Sequence, residues 1–121
     1  MNKYKVFKSE CLRLQKEFGL QEWALLFHLK MNNDDKFFGA SIEANLENYQ
    51  ADVYFDTKWH KDKDISEAKQ SARHEMIHLV LRRLYIVGRA RYIAVAEIDE
   101  AEEALTRKLE YLFFRSRQNI D

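Results

Sequence analysis

The chain has 121 residues, 46% hydrophobic and 33% charged, with 20 basic and 20 acidic side chains and no net charge. This balance argues against a disordered chain, and the lack of any apolar run near the ~18 residues that cross a bilayer argues against a helical membrane protein. A neutral chain has no bulk attraction for nucleic acid or anionic lipid, so either partner would need a local patch.

The opening MNKYKVFKSE lacks the apolar run of a secretory signal, and the single Cys11 cannot form an intrachain disulfide, so a reducing, cytoplasmic location is expected. Residues 3 to 18 carry Tyr4, Phe7, Cys11, Leu14 and Phe18 at spacings of three and four, predicting an amphipathic helix that ends at Gly19. The period then changes to two. Trp23, Leu25, Phe27, Leu29 and Met31 alternate with Glu22, Ala24, Leu26, His28 and Lys30, which predicts a strand, and NNDDK turns the chain. A second strand puts Phe38, Ala40, Ile42, Ala44 and Leu46 on one face, and a third sets Ala51, Val53 and Phe55 opposite Asp52, Tyr54 and Asp56. Three successive half-apolar strands read as an antiparallel meander with one wet face.

The loop HKDKD follows, with His60 expected in solvent. Asp64 caps the next helix and Glu67 completes a capping box, so a helix is predicted from about residue 65 to 86, with Gly88 ending it. A last helix from about 97 to 115 carries Ile98, Ala101, Leu105, Leu109, Leu112 and Phe113 on one face. The expected class is α+β: an N-terminal helix, a three-stranded antiparallel sheet and two further helices in one domain, 1–121.

The middle helix contains RHEMIHLVLRRL, residues 73 to 84. Residues four apart lie one above the other on a helix, so His74 and His78 can offer two imidazole nitrogens to one metal ion at about 2 Å from each. Glu75, about 100° further round, can take a proton from a water that the metal has made acidic. Glu75 also falls in line with Ala68, Ala72 and Leu79, where a carboxylate is costly without a cationic or protic neighbour. The bland alternative is two half-buried histidines satisfied by ordinary hydrogen bonds.

Zinc needs at least a third protein ligand. No histidine follows His78, so a downstream ligand must be a carboxylate. Relative to Leu105, Leu109 and Leu112, Glu102 falls within about 60° of the apolar face, while Glu100 and Glu103 point about 140° or more away. A surface carboxylate near the helix start is the competing reading of Glu102. His60 is an alternative ligand from upstream.

These features together resemble zincin metallopeptidases of the glutamate-ligand type, in particular the small phage- and prophage-associated zincin-like proteins. The resemblance rests on the strand led by Trp23, the strand ADVYF, HEMIHLVL, and Glu102-Glu103 followed by Leu105 and Leu109. It implies a minimal zincin-like fold, Zn2+ as cofactor, His74, His78 and Glu102 as metal ligands, and Glu75 as catalytic base. It also implies a peptide or protein substrate lying along strand 51 to 56 by β-augmentation. Larger glutamate zincins carry an aspartate four residues after the ligand glutamate, where Thr106 stands here, which keeps Glu103 and Asp99 open as ligands. Tyr54, Tyr85 and Tyr92 are candidates by type for oxyanion stabilisation. Manganese or nickel can enter similar ligand sets.

The expected function is therefore zinc-dependent peptide-bond hydrolysis. The alternative is a non-catalytic binding or regulatory protein on the same scaffold. In that case Arg82, Arg83, Arg89 and Arg91, beside Tyr85 and Tyr92, would contact nucleic acid, although a solvated basic face is the commoner use of such residues. Oligomeric state is open on sequence grounds.

Overall fold

The structure, a computed structural model, describes residues 2–30, 39–90 and 92–118. Met31, the NNDDK turn, Phe38 and Arg91 lie outside the described residues, as do the side chains of Lys30 and Phe113. The elements are helix α1 (Lys3–Glu17), strands β1 (Ala24–Lys30), β2 (Ala40–Asn45) and β3 (Gln50–Asp56), a 3-10 turn (Trp59–Asp62), and helices α2 (Ile65–Arg89) and α3 (Val95–Gln118).

Helix α1 starts where the Asn2 side chain accepts from the amides of Tyr4 and Lys5. It ends with Gly19 in the left-handed region at φ 66°. Leu20 N donates to Gln15 O at 2.8 Å and Gly19 N to Lys16 O at 3.3 Å, the paired bonds of a Schellman cap. Helix α2 starts at Asp64, whose Oδ1 accepts from Glu67 N at 3.2 Å. Only half of the expected capping box forms: no bond from the Glu67 carboxylate back to the Asp64 amide is found among the described residues. Gly88 does not end the helix, which runs on to Arg89 and stops where Ala90 turns extended at φ −65°, ψ 136°. That exit needs no left-handed residue, so the glycine is not used as a cap.

The sheet corrects the expected meander. Its order is β1-β3-β2, with β1 parallel and β2 antiparallel to β3, so it is mixed. Ala51, Val53 and Phe55 are almost fully buried, whereas Leu29 and Leu26 on β1 are exposed and β2 buries Ile42 alone. The strand with the most apolar area to hide takes the middle. A second correction follows: residues 51 to 56 are paired on both sides and cannot accept an added strand.

Helices α1 and α2 cover one face of the sheet. Phe7 and Tyr4 of α1 meet Phe55 at ring-centroid distances of 4.9 and 5.8 Å. Cys11 and Leu14 continue that seam against Ala68, Ala72, Met76 and Leu79 of α2. The alanines have little side chain, which lets α1 and α2 approach closely. Helix α3 adds the buried Ala101 and the partly buried Leu105. No helix among the described residues is long and apolar enough to cross a membrane.

Candidate metal centre

The α2 backbone stacks His74 over His78 on its exposed side, and their Nε2 atoms lie 3.1 Å apart. The rings meet edge to face at 4.7 Å. A cation held at 2.0–2.1 Å from each nitrogen with a tetrahedral angle requires a separation of about 3.3 Å. The observed separation is close to that value, and it is equally hydrogen-bond distance, one ring donating to the other. Burial, then the neighbouring His74 and Arg82, lowers the His78 pKa. This favours the neutral ring that can bind a metal.

Glu75 sits one residue round the helix and is 7% exposed. Burial pushes its pKa up to about 7, with Arg82 acting the other way. No hydrogen bond or ion pair to its carboxylate is found among the described residues. Glu75 and His74 line one cavity of about 190 Å3, together with Glu67, Gln70 and Ser71 of α2, Trp59 of the 3-10 turn and Ala40 of β2. His78 lies outside that lining, on the solvent side of the same helix.

His60 departs from its expected place in solvent. It is 1% exposed, stacked on Phe55 at 4.1 Å and set edge-on to Trp59. Its Nδ1 bonds Asp56 O at 2.9 Å and its Nε2 bonds Ser71 Oγ at 3.1 Å. A carbonyl can only accept, so Nδ1 carries the proton and Ser71 donates to Nε2. Both ring nitrogens are committed, and burial lowers the His60 pKa. His60 is thus a core histidine satisfied by ordinary hydrogen bonds, and His74 and His78 also bond each other.

Helix α3 does not bring Glu102 into a cluster with the histidines. Glu102 is exposed, and its carbonyl accepts from Thr106 Oγ1 at 2.8 Å. Glu103 pairs with Arg107 at 3.3 Å, Glu100 pairs with Arg83, and Asp99 is exposed. Among the described residues no group of three or more His, Cys, Asp or Glu side chains is arranged to hold a metal ion.

Of the described arginines, Arg82 and Arg89 share the Tyr85 ring, at 5.1 and 5.2 Å from its centroid, while Arg83 turns toward α3. Arg83 donates to Glu100 and Tyr49 beside a larger cavity of about 580 Å3, between the end of α1, α2 and α3, whose lining includes none of the HExxH residues. Arg82 lies over Tyr85, and its NH2 reaches Ile42 O at 3.4 Å, while its buried Nε finds no acceptor among the described residues. Arg89 bonds the Tyr85 hydroxyl at 2.9 Å. Tyr54 stacks on His28 at 4.9 Å on the sheet face turned away from α2, and Tyr92 is strongly exposed.

On sequence grounds Glu67 takes only a capping role, and Ser71 is not singled out. The signal was present, because Glu67, Ser71 and Glu75 repeat every four residues along one helical stripe. Trp59 and Ala40 could not be found that way, since they reach the cavity from other elements. Comparison of the chain with protein-family models, curated proteins and solved structures finds no match.

Proposed function

We propose that this chain is a zinc-dependent peptide hydrolase, with His74 and His78 as metal ligands and Glu75 as general base. The observation that carries the reading is the proximity of two imidazole nitrogens, 3.1 Å apart, beside a buried carboxylate that shares a cavity with His74. The two imidazoles suit zinc in type, but the third ligand is not in place: Glu102, or else Asp99 or Glu103, would have to move toward the histidines to supply it. Bound there, zinc supplies Lewis acidity, polarising a peptide carbonyl and making water acidic near neutral pH.

The residues of the chain account for the remaining requirements. A carboxylate with a pKa of about 7 takes a proton from water near neutral pH and can return it to the leaving amine. The substrate edge moves from the expected strand to β2. Asp56 N donates to Gly39 O, so residues 41, 43 and 45 bond inward to β3. The backbone groups of Ala40, Ile42 and Ala44 then face outward, on the side where Arg82 reaches Ile42 O. An extended peptide pairing there runs past His74 and Glu75.

Metal analysis of the purified chain beside His78→Ala, Glu102→Ala and Glu75→Gln variants tests the reading. Zinc at one equivalent, lost in His78→Ala and reduced in Glu102→Ala, is expected. Glu75→Gln should keep the metal and lose peptide cleavage by about 100-fold or more. Cleavage that survives chelation would refute the proposal.

A further inference from the structure

Beyond the motif itself, the cavity of about 190 Å3 has a composition of its own. Two of its lining residues, Glu67 and Glu75, carry carboxylates for which no hydrogen bond or ion pair is found among the described residues. Glu75 is more than nine-tenths buried there. A carboxylate so placed is costly unless a cation or donor meets it. No lysine or arginine lines the cavity. The Lys63 ammonium lies 4.9 Å from the Trp59 ring, but Lys63 is outside the lining.

Ser71 strengthens the same polarity. Its proton is given to His60 Nε2, so its oxygen can offer only lone pairs to a ligand. The wall thus presents acceptors from Glu67, Ser71 and Glu75. At roughly 30 Å3 per water the space equals about six waters, below the roughly 300 Å3 at which drug-sized sites begin. It suits one long side chain. Ala40, at the outward edge of β2, forms part of the rim, so a strand added to β2 delivers a side chain into it.

We infer that this cavity is a specificity pocket for a basic side chain, lysine or arginine, of an extended peptide paired with β2. The inference rests on the peptide-substrate reading but not on hydrolysis. An ammonium brings three donors and a guanidinium five, matching a wall made of acceptors.

Calorimetric titration of the full chain in chelator tests it. The ligands are the acetylated, amidated pentapeptide Ala-Ala-Lys-Ala-Ala, its counterpart with norleucine at the centre, and lysinamide. The lysine peptide should bind about tenfold or more tightly than the norleucine peptide. That preference should vanish in Glu67→Gln and shrink several-fold in Ser71→Ala, with norleucine binding unchanged and circular dichroism confirming the fold of each variant. Equal binding of the two peptides, binding of neither, or a preference undiminished in Glu67→Gln overturns the inference. Lysinamide binding as tightly as the lysine peptide overturns the peptide assignment in favour of a free amine. A lysine preference in an unsubstituted chain that takes up no zinc and cleaves no peptide leaves the pocket standing and locates the failure in the hydrolase reading.

Discussion

Glu75 is costly to the fold, and the proposed reading gives that cost a use. Its proton affinity is raised by burial, so between pH 4.5 and about 7 the folded chain binds more protons at this position than the unfolded chain does. Stability must then fall as pH rises through that window, and it levels off above it. In metal-free protein, Glu75→Gln should therefore raise stability by about 2–3 kcal/mol at pH 8 and change little at pH 4. Thermal melts of the two proteins across this range check the sign, since other titrating groups cancel in the difference. Glu10 has the opposite sign. Bonds from Arg13 and Arg73 hold its pKa down at about 2, so its contribution is full above pH 4.5 and disappears as pH falls toward 2. Glu10→Gln should cost on the order of 1–2 kcal/mol at pH 7, discounted for the exposure of both arginines, and only a small remnant of that at pH 2.

Among the elements, two glycines make a matched pair. Gly88 lies inside α2 with nothing within 4 Å of a built Cβ, so Gly88→Ala should stabilise by about 0.5–1 kcal/mol through helix propensity. Gly39 has φ +78°, and an added Cβ there meets the Trp59 ring at 3.4 Å and Ser71 Oγ at 3.6 Å. Gly39→Ala should cost about 1–3 kcal/mol and disturb the wall of the small cavity. Denaturant midpoints of both variants measure this. The edge position of β2 has its own signature in hydrogen exchange. The outward amides of Ala40, Ile42 and Ala44 should exchange faster than those of Ser41 and Glu43, which bond to β3. Uniform protection along residues 40 to 44 would contradict the sheet order.

At the scale of the molecule, Phe55 is the joint. It sits on the central strand, takes Phe7 and Tyr4 from α1, and stacks on His60, which in turn holds Ser71 at the cavity. Phe55→Ala should cost about 3–5 kcal/mol, a large part of the 5–15 typical of a domain, and should loosen the cavity wall before the chain unfolds. Near-ultraviolet circular dichroism set against far-ultraviolet melting would resolve the two events. Much of this architecture is local and was readable from the chain. Helical periodicity, the Asp64 cap and the alternation of Ala51, Val53 and Phe55 each depend on residues a few positions apart. So does the stacking of His74 over His78, which one turn of helix imposes regardless of what surrounds it. Tertiary structure decided what no local pattern encodes. Alternation marks a strand but not its neighbours, so β3 entered between β1 and β2 and left β2 at an edge. The burial of His60, the gathering of Trp59 and Ala40 around Ser71, and the exposed setting of Glu102 depend on contacts between distant segments. Those contacts are chosen by the sum of apolar area buried across the whole chain, and no single stretch of it carries that sum.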